Sequence, residues 1–194
     1  MDKNKNENKN ENNKKLAEQI WFTRVSRAKA ETRLINKEHY IQFINIYYSL
    51  FSVIFSIIAL LKHDDQMSLF TIIITICLLV SIMYLNGQKY LSQATDYRNN
   101  YTQLQKLEME LEDPKCDIKE IQTKYCELLK TSSNHIEYDY LTAIENASNE
   151  YKEKKNWKEK KIYFLFGRGW RFIVKLFFIL VPIALLYVCE VYLS

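Results

Sequence analysis

A length of 194 residues ordinarily gives one or two soluble domains, but two long uncharged stretches, from Tyr40 to Leu61 and from Gln66 to Gln88, exclude a simple soluble globule. Three glycines leave no glycine-rich phosphate loop, and three histidines far apart in sequence offer no metal-ligand spacing. The net charge of +4 sets little by itself; orientation is read from where the basic residues lie.

Residues 1–15 form an Asn/Lys/Glu tract with no apolar h-region, expected as a disordered tail rather than a signal peptide. Residues 16–39 read as a cytosolic amphipathic helix, with Trp21, Val25, Ala28, Thr32, Ile35 and His39 in a stripe and Arg24, Arg27, Glu31 and Glu38 opposite.

Residues 40–61 form the first predicted transmembrane helix. Its non-aromatic polar residues, Gln42, Asn45, Ser49, Ser52 and Ser56, are spaced three, four, three and four apart. At about 100° per residue they share an arc of about 80°. In hydrocarbon such a face has to meet another helix or water. No Pro or Gly interrupts the chain before it, so a continuous helix carries a polar rail from Arg24 to Ser56. Lining of a pore and gluing of helices both remain open readings of that face, because Ser, Asn and Gln serve either purpose. The same holds for the cytosolic part, where a solvated helix face is the alternative.

Basic residues precede the first span, and the link from Lys62 to Asp65 carries one Lys against two Asp, so the N-terminus is expected in the cytoplasm and the link outside. Residues 67–86 form the second transmembrane helix. Residues 87–155 return inside as a cytosolic helical region, in which Leu91, Ala94, Tyr97, Tyr101, Leu104, Leu107 and Leu111 continue the helical spacing. Asp113 and Pro114 end that helix. A second helix carries Ile118, Ile121, Tyr125 and Leu128, Thr131 to His135 reads as a turn, and a third helix from Tyr138 carries Leu141, Ile144, Ala147 and Tyr151.

Residues 156–171 form a basic juxtamembrane segment, and with its approach it supplies the lipid-binding candidates Lys154, Lys155, Lys158, Lys160, Lys161, Arg168 and Arg171, at roughly 1 kcal/mol per basic residue beside acidic headgroups. Residues 172–192 are expected to cross as a third transmembrane helix, kinked at Pro182, with Lys175 snorkelling near one end. The fold class is all-α: an N-terminal transmembrane hairpin, a cytosolic helical bundle and a C-terminal transmembrane helix. Cys77, Cys116, Cys126 and Cys189 are expected as free thiols, and His39, His63 and His135 in solvated or capping roles.

Convergent base, nucleophile or metal ligands are missing from the sequence, so no catalytic residue, metal or cofactor is expected. The run Trp21, Phe22, Thr23, Arg24, Val25, Ser26, Arg27 with Ala30 and Arg33, the cluster Tyr47, Tyr48, Ser49, and Asn134 with His135 near Asp139 and Tyr140 resemble the bacterial SLATT family, nearest its fifth subfamily. The resemblance spans about Leu16 to Tyr151. It implies a two-span membrane effector encoded beside nucleotide-messenger synthases or reverse transcriptases in antiphage defence, acting by pore formation and abortive infection. The third hydrophobic segment departs from that two-span description.

On this reading the chain is a homo-oligomeric pore in the bacterial inner membrane. Gln42, Asn45, Ser49, Ser52 and Ser56 line the pore, and Arg24, Arg27, Glu31 and Glu38 form the inner mouth or signal site. The lipid bilayer and a cyclic oligonucleotide, nucleotidyltransferase or reverse transcriptase are its expected partners, without direct nucleic-acid binding. A non-conducting tether for such an enzyme is the alternative.

Overall fold

The computed structural model describes residues 2–62, 65–113 and 116–193. The side chains of residues 2–10, 12, 62, 67, 86, 150, 154, 185 and 188–193 are not among those described. Expectations placed on His63, Pro114 and the side chains of Lys154 and Cys189 therefore fall outside the described residues. Within them the chain is all helical: α1 (Asp2–Lys62), α2 (Asp65–Asn86), α3 (Tyr90–Leu111), α4 (Ile118–Lys130), α5 (Glu137–Glu145), α6 (Asn149–Lys154) and α7 (Trp157–Leu193). Helix α1 begins at Asp2, so the tract expected to be disordered continues the helix instead. Neither Gly nor Pro breaks it, and Glu11 and Lys15 form an i,i+4 pair at 2.7 Å.

The chain divides into two compact units. Unit 1 comprises Met1–Ile35 and Tyr90–Phe164, and unit 2 comprises Asn36–Lys89 and Leu165–Ser194. In unit 1, Leu16 and Ile20 of α1 pack on Leu104 and Leu107 of α3 and Ile121 of α4. Phe22 packs on Leu141, Ile144, Trp157 and Phe164, and Ala30 and Leu34 pack on Ala94 and Tyr97. Most of the periodic apolar residues expected along α3, α4 and α5 thus do form the core, whereas Leu91, at the start of α3, is exposed.

The orientation of α1 reverses the expected one. Its buried arc contains Leu16, Ile20, Arg27, Ala30, Glu31 and Leu34, whereas Thr32 and His39 are exposed and Val25, Ala28 and Ile35 only half-buried. At about 100° per residue the expected apolar stripe lies about 140° round the helix from this arc. Burial of Leu16, Ile20, Ala30 and Leu34 carries the interleaved charges inward, and those charges find partners there. The expected third cytosolic helix is two, α5 and α6, separated at Asn146–Ser148. Helices α2 and α3 are likewise separated at Gly87–Lys89, where Lys89 takes a positive φ of 49°. A φ of 52° at Asn156, a residue type that tolerates the left-handed region, separates α6 from α7.

Unit 2 is built from the second half of α1, α2, and α7 from Leu165 onward. Phe55 and Ala59 form a small core, with Phe51, Ile58 and Leu186 against it. Much of its described surface is apolar. Ile46, Leu60, Leu69, Ile76, Met83, Phe172, Phe177 and Ile183 are all exposed, the composition of a surface that faces lipid rather than water. Two helical stretches of the described chain are long and apolar enough to cross a membrane, within Asn13–Leu61 and Ser68–Leu111.

Candidate functional site

The polar arc of the first span lies in unit 2, and the structure divides it. Ser52 is buried and its hydroxyl lies 2.7 Å from that of Thr75 on α2, so this position joins the two helices of the hairpin. Gln42, Ser49 and Ser56 are exposed and Asn45 is half-buried. Ser49 donates to the Asn45 carbonyl at 2.7 Å, Ser56 to the Ser52 carbonyl at 2.9 Å, and Thr75 to the Thr71 carbonyl at 2.9 Å. Hydroxyls satisfied by their own helix lower the cost of facing hydrocarbon. Gln42 donates to Glu38 at 3.0 Å, the one inner-mouth candidate that belongs to unit 2. Beside the arc runs a cleft of about 340 Å³ lined by Ser56, Ala59, Ser68, Thr71, Ile72 and Thr75, among others.

A second feature of unit 2 was not anticipated from the sequence. Pro182 has no N–H, so the Phe178 carbonyl one turn earlier loses its helical donor. The Tyr48 hydroxyl on α1 donates to that carbonyl at 2.8 Å. Tyr47 donates to the Ile179 carbonyl at 2.8 Å and Tyr40 to the Lys175 carbonyl at 3.1 Å, with the Lys175 ammonium 4.9 Å from the Tyr40 ring centre. Three hydroxyls of one helix thus supply donors to α7 around its proline. The signal available in the sequence was the pairing of a Tyr47-Tyr48 step with a mid-helix proline; only the register of α1 against α7 connects them.

The other three inner-mouth candidates, Arg24, Arg27 and Glu31, sit in unit 1, each engaged by polar groups of α3 or α4. Arg27 is fully buried. Its guanidinium donates to the Asn100 side chain and to the Leu128 and Leu129 carbonyls, at 3.1 and 3.5 Å, at the C-terminal end of α4. A cation there meets the negative end of the helix dipole. Removal from water holds the Arg27 guanidinium below its ordinary pKa, with Tyr125 and Tyr97 opposing that shift. Asn100 adds donations to the Leu128 carbonyl at 2.8 Å and to Thr131 at 2.9 Å. Glu31 accepts from Arg98 at 2.6 Å, and Arg24 approaches Glu108 at 2.7 Å.

A two-pronged ion pair lies outside the expected site residues. Arg33 grips Asp139 in two-pronged fashion, Nε to Oδ1 at 2.8 Å and Nη2 to Oδ2 at 3.1 Å, and Asp139 is almost fully buried. The same carboxylate accepts from the Ile136 backbone N–H at 3.3 Å at the start of α5. Tyr97 donates to the Asn134 carbonyl at 3.0 Å, and the His135 ring stacks on Tyr140. Burial, and then the charge of Arg27, lower the His135 pKa, while Asp139 raises it. Arg27, Arg33, Asn134, His135, Asp139 and Tyr140, scattered over more than a hundred positions of sequence, therefore gather around the α4–α5 turn.

The basic segment is split as well. Lys155, Lys158, Lys160 and Lys161 belong to unit 1, Arg168 and Arg171 to unit 2. Lys158, Lys161 and Arg168 are exposed, Lys160 is half-buried, and Arg171 donates to the Gly167 carbonyl at 3.0 Å. Lys155 lies 3.8 Å from Glu18 and 5.4 Å from the Phe22 ring centre. Among the described residues no cluster of three or more His, Cys, Asp or Glu is placed to hold a metal ion.

An all-helical arrangement of the described residues, with two membrane-length apolar helices and a second unit held by an apolar core and partly buried ion pairs, defines a membrane protein with a helical domain. A family model described as SMODS and SLOG-associating 2TM effector domain family 5 matches residues 9–189, and the chain belongs to that family. No curated protein and no solved structure gives a match to the chain.

Proposed function

We propose that this chain is a defence effector of the bacterial inner membrane whose copies assemble and open a path across the bilayer when unit 1 receives a signal. The observation that carries this reading is the divided polar arc of unit 2. Ser52 is consumed by the hairpin contact with Thr75, while Gln42, Asn45, Ser49 and Ser56 remain at least partly accessible on a surface rich in Ile, Leu and Phe. A polar strip on a lipid-facing bundle is stabilised by meeting its counterpart on another copy or by lining water. The N-terminus is cytoplasmic on this reading, and α7 from Leu165 crosses as a third helix. Its tyrosine-capped carbonyls support the crossing, because an orphaned carbonyl is costly in hydrocarbon. The basic residues from Lys155 to Arg171 anchor the inner leaflet.

The signal acts by differential affinity: a ligand or partner enzyme has to prefer the open state by about 5.5 kcal/mol to move the population from mostly closed to mostly open. The experiment is dye release from liposomes containing the purified chain. Replacement of Asn45, Ser49 and Ser56 together by Leu, with Ser52 and its contact to Thr75 left in place, is expected to abolish release with membrane insertion retained; unchanged release removes these residues from the path.

A second reading makes the chain a non-conducting tether for a nucleotidyltransferase or reverse transcriptase. The back-bonded hydroxyls favour it, since Ser49, Ser56 and Thr75 are satisfied without water or a sister copy. Conductance of the chain alone in a planar bilayer counts against it.

A further inference from the structure

Within unit 2, from Leu165 onward, helix α7 has two unlike sides. One is fixed against α1 by contacts. Tyr40, Tyr47 and Tyr48 donate to the Lys175, Ile179 and Phe178 carbonyls, Pro182 is buried, and Leu186 packs against the core of Phe55 and Ala59. At about 100° per residue, Lys175, Ile179, Pro182 and Leu186 share an arc of about 60°. Arg168 falls on the same arc and Arg171 just beside it.

The other side carries Phe166, Trp170, Ile173, Phe177 and Leu180, spaced four, three, four and three apart. They share an arc of about 80°, centred about 170° round the helix from the first. No charged residue falls on this arc between Phe166 and Leu180, and all five side chains are exposed, Phe166 by 75% and Trp170 by 60%. Ile173, Phe177 and Leu180 lie within the length of a span, where hydrocarbon covers them. Phe166 and Trp170 precede it, in the segment whose basic residues are expected to meet the lipid. From Phe166 to Leu193 the helix runs about 42 Å at 1.5 Å per residue. That length matches a bilayer with both headgroup layers, about 40–45 Å, rather than its hydrocarbon alone, about 30 Å.

We propose that Phe166 and Trp170 insert into the headgroup layer of the cytoplasmic leaflet as the entry anchor of α7, while Arg168 and Arg171, on the other side of the helix, reach lipid phosphates along their stems. Two observations make lipid the occupant. The arc runs without a charge into the lipid-facing Ile173, Phe177 and Leu180, and the arginines that flank it are complementary to phosphate. This placement rests on the crossing of α7 proposed above. It moves the first lipid contact from Phe172 back to Phe166 and gives to two rings a contact expected of the basic residues alone. Interfacial anchors set the rotation of a span about its axis. With Phe166 and Trp170 in lipid, Pro182 is turned toward α1, where Tyr48 meets the Phe178 carbonyl.

The test is photocrosslinking of the full chain in vesicles of phosphatidylethanolamine and phosphatidylglycerol with radiolabelled acyl chains. The photoreactive residue p-benzoylphenylalanine, which bonds to neighbouring C–H groups and not to water, takes the place of Phe166, Trp170, Phe177 or Arg168, one position at a time. All four side chains are exposed, so packing is left intact, and Phe166 and Trp170 report independently of each other. Lipid adducts at Phe166 and Trp170 are expected to match those at Phe177 and to exceed those at Arg168 several-fold. Absence of lipid adduct at Phe166 and Trp170, with abundant adduct at Phe177, overturns the anchor and keeps the crossing; absence at all three positions removes the crossing as well. Adducts from Phe166 and Trp170 to a second copy, seen as a band of twice the mass, or to another protein when the irradiation is repeated in cell membranes, overturn the choice of lipid. Equal lipid adduct at Arg168 overturns the sidedness on which the anchor depends.

Discussion

Replacing Tyr48 by Phe removes one hydroxyl and leaves the ring, so what is lost is the donor to the Phe178 carbonyl at 2.8 Å. That carbonyl has no helical donor because the residue four positions on is Pro182. Hydrogen bonds between helices inside a membrane are worth about 0.6 kcal/mol on average and reach about 1.7. An acceptor left without any alternative belongs near the upper end, so Tyr48→Phe is expected to cost about 1.5 kcal/mol. Pro182→Ala restores an N–H to the same carbonyl, so in that background Tyr48→Phe is expected to cost close to nothing. The coupling between the two positions therefore approaches the whole single-mutant effect, which is the quantity a double-mutant cycle isolates. Reversible unfolding of the four proteins in mixed micelles, followed by circular dichroism, measures it. Equal costs for Tyr48→Phe in both backgrounds refute the claim that this hydroxyl substitutes for the missing proline donor.

Two further outcomes concern unit 1. Asp139→Asn leaves Arg33 facing a neutral partner and weakens the cap on Ile136; breaking a pair of this burial is expected to cost about 3 kcal/mol in urea unfolding, against less than about 1 kcal/mol for the exposed pair Lys124–Glu110. His135 has a folded pKa below its ordinary value of 6.5, so the unfolded chain takes up the proton first as pH falls. Stability contributed by neutral His135 is thus complete above pH 6.5 and declines as pH drops from there to the folded pKa. Melting temperatures from pH 7.5 to 5 should fall along that window, and His135→Gln should flatten that part of the curve.

The periodicity of α3, α4 and α5 was legible because Leu104, Leu107, Ile121, Leu141 and Ile144 each recur at helical spacing and each is buried. In α1 the same reasoning chose the wrong side. Hydropathy assigns Arg27 and Glu31 to water, and it has no means of knowing that Asn100, the Leu128 carbonyl and Arg98 wait opposite them. Burial of charge is decided by partners, and those partners come from α3 and α4, about 70 to 100 positions away. The break between α5 and α6 at Asn146–Ser148 was likewise hidden, since Leu141, Ile144, Ala147 and Tyr151 keep a helical spacing across it.

Sequence alone determined what each segment needs: about 20 uncharged apolar residues need hydrocarbon or a large core, and a three-four spacing of polar residues gives that segment a face. Tertiary structure decided what satisfies those needs. It matched Ser52 to Thr75, Tyr48 to the carbonyl freed by Pro182, and Arg33 to Asp139. The reason is physical: apolar burial is non-directional and depends on composition and period, whereas a hydrogen bond or buried ion pair requires two particular atoms within about 3 Å, a condition only the register of distant helices can meet.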